Sequence, residues 1–510
     1  MSPFLFSFLA SSSIARTLLF FGFIFIYITF KGIEQVSSCY GPKKYPLIGS
    51  LISFYKNRCR LLSWYTELLA NSPINTIVVE RLGARRTIVT ANPQNVEYIL
   101  KTNFNNYPKG KPFTDILGDL LGCGIFNVDG EVWHARRKLA SHEFTTKSLR
   151  EFIVKALNTE VHDRLIPILS SSNKKKKVFD MQDLLSRLTF DNICKISLGT
   201  DPCLLNEEMP SAELASAFDI AAEISARRGM APVSAVWKLK RALGVGSEKH
   251  LKVAVELIHG SIMEIIKERK KKIHDKQMEM MKIDQNDLLS RLIQGGHSNE
   301  VIRDMVISFI MAGKDTTSSA LTWFFWLLSC NPNVEQEIVK EVTMHGKGEQ
   351  IGYQELKEMK FLEASLCESM RLYPPVVWDS KHAARDDKLP DGTPVRKGDR
   401  VTYFPYGMGR MERLWGKDWE EFRPWRWMAG DNRKEVVPVS PYKFSVFQAG
   451  PRVCLGKEMA FVQMKYVAAT VLRRFKLRRV DDQPPVLVPL LTSHMAGGLN
   501  MMVEERVVEL

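Results

Sequence analysis

The sequence predicts a mainly α-helical protein with a small β-rich region and an N-terminal transmembrane helix. Three observations carry this reading. Stretches such as Ser261–Lys276 and Val301–Ser329 hold apolar residues at helical period over lengths that strands do not reach. Only short pieces, Asn75–Glu80, Thr87–Thr90 and Val401–Phe404, read as strand. Near the start of the chain, Ile14 to Ile33 is a nearly unbroken apolar segment.

Thr17 to Phe30 is an uncharged run of 14 residues. As a helix it spans only about 21 Å, short of a bilayer core of about 30 Å. Ile14 to Ile33 supplies the length, with Arg16 and Lys31 snorkelling at its ends. A cleaved signal peptide is the competing reading, with Val36-Ser37-Ser38 as its cleavage site. Against it, Arg16 is the only base near the front of the run, whereas Lys31, Lys43, Lys44, Arg58 and Arg60 follow. That asymmetry keeps the body on the cytoplasmic side. Residues 1–35 are therefore read as a membrane anchor. Residues 36–50, with Pro42 and Pro46, form a proline-rich hinge. A single domain follows over 51–510: no internal repeat or Ser/Gly linker divides it, although about three domains would suit its length. Asn331-Pro332 closes the long helix of Val301–Ser329, and Tyr373 to Trp427 is irregular.

Composition narrows the function. With 45% hydrophobic and 25% charged residues the chain is not disordered, and a mean hydropathy of −0.14 excludes a polytopic membrane protein. The net charge of +14 suits an anionic partner or a membrane surface. Nucleic acid is not expected, because the basic runs Lys174–Lys177 and Lys267–Lys272 have no interleaved aromatics. The eight cysteines form no C-x-x-C pair, so zinc is not indicated and reduced thiols fit best. No G-x-S-x-G, H-E-x-x-H or Walker A occurs, and Gly346-Lys-Gly348 lacks the third glycine and the preceding strand of a dinucleotide site.

The chemistry concentrates in four segments. Phe447 to Gly456 (FQAGPRVCLG) places Cys454 between Gly450 and Gly456, with Arg452 two residues before it. A cation and free backbone N–H groups stabilise a thiolate, and the helical stretch that follows adds its dipole. Glu368 and Arg371 sit at i and i+3 on one helix face. Pro424-Trp425-Arg426-Trp427 contributes a further arginine. Ala312 to Thr317 puts Gly313, Asp315 and Thr316 in the middle of an apolar helix. There Gly313 weakens the helix by about 1 kcal/mol, and buried polar groups need a task.

In this order these segments resemble the cytochrome P450 family of haem-thiolate monooxygenases. F-x-x-G-x-R-x-C-x-G is matched by Phe447, Gly450, Arg452, Cys454 and Gly456. The helical E-x-x-R is matched by Glu368 and Arg371, with Arg426 completing their network, and the threonine helix by Ala312 to Thr317. The resemblance implies haem b with Cys454 as the axial iron ligand, and Trp133, Arg137 and His382 at the propionates. It implies Thr316 with Asp315 as the proton-delivery pair. It also implies dioxygen as co-substrate and electrons from NADPH through the NADPH-cytochrome P450 reductase, on the cytosolic side of the endoplasmic reticulum membrane. Arg136, Lys138 and Lys457 would steer that acidic partner. One departure stands out: Trp425 replaces the family's usual acid, so local repacking is expected.

Trp378 to Ala383, Phe404 to Met411, Leu414 to Asp418 and Phe444 to Gly450 resemble the plant fatty-acid ω-hydroxylase group. Phe218 to Arg228 and Pro489 to Gly498 resemble its jasmonoyl-amino-acid hydroxylase branch. The implied substrate is a lipid or oxylipin carboxylate, with jasmonoyl-isoleucine favoured over a long-chain fatty acid. Phe104–Phe126, Ile307–Thr316, Pro375–Ser380 and Ser493–Gly498 would line its channel. A haem-thiolate isomerase or dehydratase of hydroperoxides is a further alternative, against which Thr316 speaks.

Overall fold

The computed structural model describes residues 40–506, apart from 145–146, 207–211, 232, 279–286, 347, 349 and 430–434. The predicted anchor, 1–35, lies outside the described residues. Among the described residues no helix is long and apolar enough to cross a membrane. The described part of the hinge is laid along the first strand: Val78 N–H donates to Tyr40 O at 2.8 Å and Ser50 N–H to Glu80 O at 2.7 Å.

The elements that position the site are, in chain order, β1 (Thr76–Val79), β2 (Thr87–Thr90), α1 (Lys111–Leu121), α2 (Gly130–Phe144), α3 (Met181–Leu198), α4 (Ala212–Met230), α5 (Ser247–Met278), α6 (Asn299–Cys330), α7 (Lys360–Leu372), β3 (Asp379–His382), β4 (Arg400–Tyr403), α8 (Lys457–Arg474), β5 (Phe475–Arg479), β6 (Leu487–Pro489), β7 (Ser493–Met495) and β8 (Asn500–Glu505). The predicted strands and the two long helices are all present, the helices extending beyond their predicted ends. The Asn331-Pro332 boundary also holds: α6 ends at Cys330 and Pro332 opens the next helix.

The main sheet has the order β1-β2-β4-β3. β1 and β2 are an antiparallel pair of mostly β-branched residues, and β2 runs parallel to β4, with Thr87 opposite Arg400. β3 pairs antiparallel to β4, with His382 opposite Arg400. A second sheet ties β5 to β8 and the edge of β8 to Phe179–Asp180, which fixes the start of α3 to the end of the chain. Asp180 also caps α3, its carboxylate accepting from Gln182 N–H at 2.9 Å.

α6 runs through the core. Almost every residue from Ile302 to Leu328 is buried, as expected for a helix that is apolar on all sides. Gly313 does not interrupt it. A Cβ there would lie 2.5 Å from Ile193 Cδ1 of α3. The propensity cost of about 1 kcal/mol is therefore offset by the close approach of two core helices.

The irregular stretch after β4 is held by one buried carboxylate. Glu368 on α7 accepts from Arg371 Nε at 2.8 Å and Nη2 at 2.9 Å, from Arg426 Nε at 2.8 Å, from Arg423 N–H at 3.0 Å and from Trp427 Nε1 at 2.7 Å. Arg371 spends its remaining donors on the carbonyls of Gly409, Trp419 and Glu421. Gly409 is required here, since a Cβ would sit 2.0 Å from Arg371 O. The repacking expected at Trp425 is seen as a ring contact with Phe361 at 5.3 Å, while Asp418 supplies a carboxylate to both Arg423 and Arg426. Removing one partner of a buried ion pair typically costs about 3–5 kcal/mol. Glu368→Ala is thus expected to give little folded protein, checked by the yield and thermal unfolding of the purified chain. A normal Tm would contradict this account.

Candidate active site

The loop that carries Cys454 closes on itself. Cys454 N–H donates to Phe447 O at 2.8 Å and Val453 N–H to Gly450 O at 3.1 Å. Gly450 has φ of +65°, and a Cβ would lie 2.1 Å from Leu100 O, so only glycine fits. Phe447 packs on Phe461 of α8 with ring centroids 5.3 Å apart, and Lys457 lies over its other contacts at 5.7 Å from the ring. The Gly456 N–H faces the sulfur just before α8 begins.

Burial pushes the Cys454 thiol up. The Gly456 N–H, Arg137 and Lys457 pull it down by less. The sulfur nevertheless keeps accessible surface, so it is deep but not covered. This corrects the sequence reading in one respect. The cations that act on the sulfur are Arg137 and Lys457, while the Arg452 guanidinium turns to Asp129 at 2.6 Å and Val128 O at 3.2 Å.

Trp133 and Arg137 lie one turn apart on α2. Trp133 is buried against Phe104, ring centroids 5.6 Å apart, with the Arg452 guanidinium over its face at 4.5 Å. Arg137 is half-buried; burial lowers its pKa and Cys454 opposes that. His382, at the end of β3, donates Nδ1–H to Lys109 O, and its buried Nε2 has no partner. Burial drives its pKa down to about 4, so the ring is neutral near pH 7.

Two acids that the sequence reading missed tie these residues together. Asp379 accepts from Lys381 Nζ at 2.8 Å, from Tyr403 OH at 2.9 Å and from Gln448 Nε2, the neighbour of Phe447. Asp129 accepts from Arg452 and from the N–H groups of Lys109 and Gly110 at 3.0 and 2.9 Å. The signal available in the sequence was polar residues in otherwise apolar surroundings, which fixes no partner. Lys109, Lys381 and Arg452 thus lie within electrostatic reach of Asp129 and Asp379, and Arg137 within reach of Arg452, so cations outnumber carboxylates among these groups.

On α6, Thr316 and Ala312 are partly open between buried neighbours, and the Thr316 hydroxyl donates to Ala312 O at 2.6 Å. Asp315 is buried and not bonded to Thr316. It is paired with Lys314, Oδ1 to Nζ 3.3 Å, and the buried Lys314 also binds Asp219 of α4. Ser319, further along, shares a hydrogen bond with Ser493 of β7, while Ser493 N–H donates to Pro375 O at 2.7 Å. On the α1 side, Cys123 N–H donates to Asp304 of α6 at 2.8 Å. Of the four predicted lining segments, Ile307–Thr316 lies on α6, Phe104–Phe126 and Ser493–Gly498 bond to it, and Pro375–Ser380 is tied to it through Ser493. The base closing the α4 tract, Arg228, is spent on Glu248 and Asp119.

Cys454 lies just before α8 within electrostatic reach of Arg137 and Lys457, and α6 is less buried at Ala312 and Thr316 than along its flanks. A model of the family described as Cytochrome P450 matches residues 40–496. The chain belongs to that family. It is 58% identical over 482 residues to Cytochrome P450 94B1 of Arabidopsis thaliana, covering 92% of each chain. It is 56% identical to Cytochrome P450 94B3 of the same plant, covering 92% of this chain and 93% of the other. With Cytochrome P450 94A1 of Vicia sativa it shares 48%, over 91% and 90% of the two chains. The protein is a P450 monooxygenase, and its family uses haem b, dioxygen and NADPH-derived electrons delivered by a reductase.

The residues present fit haem b. The macrocycle's propionates would meet a region where cations outnumber carboxylates, and its iron would offset the burial that pushes the Cys454 thiol up. Gly450→Ala is expected to cost more than the about 1–2 kcal/mol of a left-handed residue alone, because the added carbon meets backbone. Thermal unfolding checks it: an unchanged Tm would mean that the loop does not depend on that approach.

Proposed function

We propose that the chain hydroxylates the terminal carbon of an amphipathic carboxylic acid, with jasmonoyl-isoleucine, at its carbon 12, as the favoured substrate. Cys454 is the axial ligand, and Trp133, Arg137, Arg452 and His382 hold the propionates, with Phe447 bracing the cysteine loop. An anion beside His382 Nε2 would raise that ring's pKa from the low value that burial imposes. Bound haem supplies the activation of dioxygen that no side chain can perform.

The polypeptide's own work is to orient the substrate and to move protons. Thr316 sits where α6 opens, its hydroxyl held by the Ala312 carbonyl, and it can pass a proton to a group on the open side. Lys314 holds Asp315 one residue away as the acid of the pair. The terminal carbon is harder to oxidise than its neighbours, so positioning must override reactivity.

The observation that favours the jasmonoyl conjugate is the convergence of the two branch-like tracts on α6, on either side of Thr316. Asp219 of the first is bonded to Lys314, Ser493 of the second to Ser319, and His494 lies within electrostatic reach of Asp219. These tracts thus border the oxidation site and can set substrate shape. The second reading, a long-chain fatty acid, shares the oxidant and the channel. Residues 1–35 anchor the protein in the endoplasmic reticulum membrane with the catalytic domain, 51–510, on the cytosolic side, where Arg136, Lys138 and Lys457 meet the reductase.

Thr316→Ala is expected to keep haem and substrate binding but to divert electrons to peroxide or water; an unchanged ratio of product to NADPH consumed would remove Thr316 from the proton path. For the substrate, enzyme and reductase are incubated separately with jasmonoyl-isoleucine and with fatty acids, and the hydroxyl is located by mass spectrometry. A single terminal product from the conjugate is expected. Turnover of fatty acids alone would overturn the substrate assignment, and hydroxyls scattered along the chain would overturn the end-on channel.

A further inference from the structure

We propose that Arg400, with Arg81, Arg85 and the hydroxyl of Tyr65, anchors the substrate's carboxylate at the mouth of the channel. The proposal rests on the reading of the substrate as an amphipathic carboxylic acid.

Three observations converge on this cluster. The first is that its cations lack partners. The Arg400 Nε is buried and makes no hydrogen bond. The Arg81 guanidinium lies over the Phe54 ring at 3.8 Å. A Cβ at Gly398, two residues before Arg400, would lie 3.9 Å from Arg85 Nη1, which puts that guanidinium beside the start of β4. Among the described residues none of the three arginines forms an ion pair. The neighbouring acids are spent elsewhere. Glu80 accepts from Lys44 at 3.0 Å and from Arg86 at 3.1 Å, and Asp399 binds Arg86 and the Arg396 N–H at 2.8 Å.

The second is the charge acting on Arg400. Arg81 and Arg85 repel it, and no carboxylate offsets them. An arginine stays charged under such repulsion, so the cluster is costly until an anion joins it. Its planar fork of donors matches a carboxylate with two parallel hydrogen bonds. Tyr65 is buried within electrostatic reach of Arg81 and Arg400, and burial keeps its hydroxyl protonated, so it adds a neutral donor.

The third is the place. Residues along a strand alternate between the two faces of a sheet. Arg400 is opposite His382 and two residues from Thr402, whose hydroxyl lies 2.8 Å from that of Ser380. The same face thus carries Ser380 of the predicted lining segment Pro375–Ser380. The helix Leu61–Asn71, which supplies Tyr65, packs here as well: Tyr65 meets Phe404 edge-on at 6.4 Å, and Phe404 stacks on Trp378 of that lining segment at 6.2 Å. The β1–β2 turn, which holds Arg81 and the exposed Arg85, abuts the segment after α4, since a Cβ at Gly83 would lie 3.6 Å from Val233. The cluster therefore stands where the sheet, the lining segment and the end of the α4 tract meet at the surface.

A haem propionate is the other carboxylate to consider, and the sheet decides against it. Asp379, Lys381 and Tyr403 alternate onto the opposite face, and it is there that Gln448 of the cysteine loop is bonded to Asp379. Arg400 faces away from that loop. A carboxylate held at the surface leaves the apolar end of the substrate to run inward to Thr316, which is what oxidation at the terminal carbon requires.

The test uses the full-length, haem-loaded protein with Arg400→Met, Arg400→Lys and the double change Arg81→Gln with Arg85→Gln. Binding of jasmonoyl-isoleucine, dodecanoic acid and the methyl ester of each is followed by the shift of the haem absorption. Product positions are located by mass spectrometry, and haem loss to apomyoglobin is measured alongside. Losing a charge-assisted contact should weaken binding of the acids about tenfold in Arg400→Met and in the double variant. The esters should bind all variants as they bind the parent, so the preference for acid over ester disappears. Arg400→Lys should keep part of that preference, and Arg400→Met should scatter the hydroxyl over neighbouring carbons. If Arg400→Met yields no haem protein, the double variant carries the comparison. An unchanged acid-over-ester preference in the variants would overturn the anchor, as would faster haem loss with that preference intact, which would give the cluster to a propionate. A parent that binds neither acid would instead overturn the proposed function, and the anchor with it.

Discussion

Charge burial around one sulfur is the constraint on which the rest of this structure depends. The side chains of Lys109, Lys381 and Arg452 are largely buried together with that of Asp379, Arg137 and Asp129 lie at the margin, and burial pushes the Cys454 thiol up. Cations that outnumber their carboxylates are costly in a folded chain unless an anion compensates them. The architecture around it consists of devices that keep these groups apart in sequence and together in space. The parallel pairing of β2 with β4 brings β3 alongside, and β3 carries Asp379, Lys381 and His382. Gly450 lets the cysteine loop lie against Leu100. Glu368 fastens Arg371, Arg426 and Trp427, and through them the irregular stretch that leads into the loop.

The opposite side of the site is built by a different logic. α6 is rigid because it is buried all round, and Gly313 lets α3 press against it. Several of its polar side chains have partners outside the helix or within it. Lys314 reaches α4, Ser319 reaches β7, and Thr316 bonds its own Ala312. The α4 and β7 segments are thereby fastened to the helix that carries Thr316.

The sequence made much of this legible, because local chemistry leaves local marks. A cysteine between glycines, an acid and base at helical spacing, and polar residues inside an apolar helix are each unusual enough to read directly. What failed was distance inferred from spacing. Arg452 is two residues from Cys454, yet the short turn of Gly450–Arg452 sends its guanidinium to Asp129, while Arg137, from a distant helix, acts on the sulfur together with Lys457. Asp315 and Thr316 are adjacent but face different neighbours. Asp379, Asp129, Lys109 and the indole of Trp427 went unread because their roles exist only through long-range partners. Where the family's usual acid is replaced by Trp425, Asp418 supplies a carboxylate to Arg423 and Arg426.

The central claim is that Cys454, and no other group, ligates the haem iron. The most direct measurement is the carbon monoxide difference spectrum of the reduced, purified full chain, compared with Cys454→His. The account predicts a thiolate-type spectrum for the natural protein. In the variant it predicts loss of that spectrum together with loss of monooxygenation, because imidazole cannot supply the electron density of a thiolate. A thiolate-type spectrum that survives in Cys454→His would contradict it.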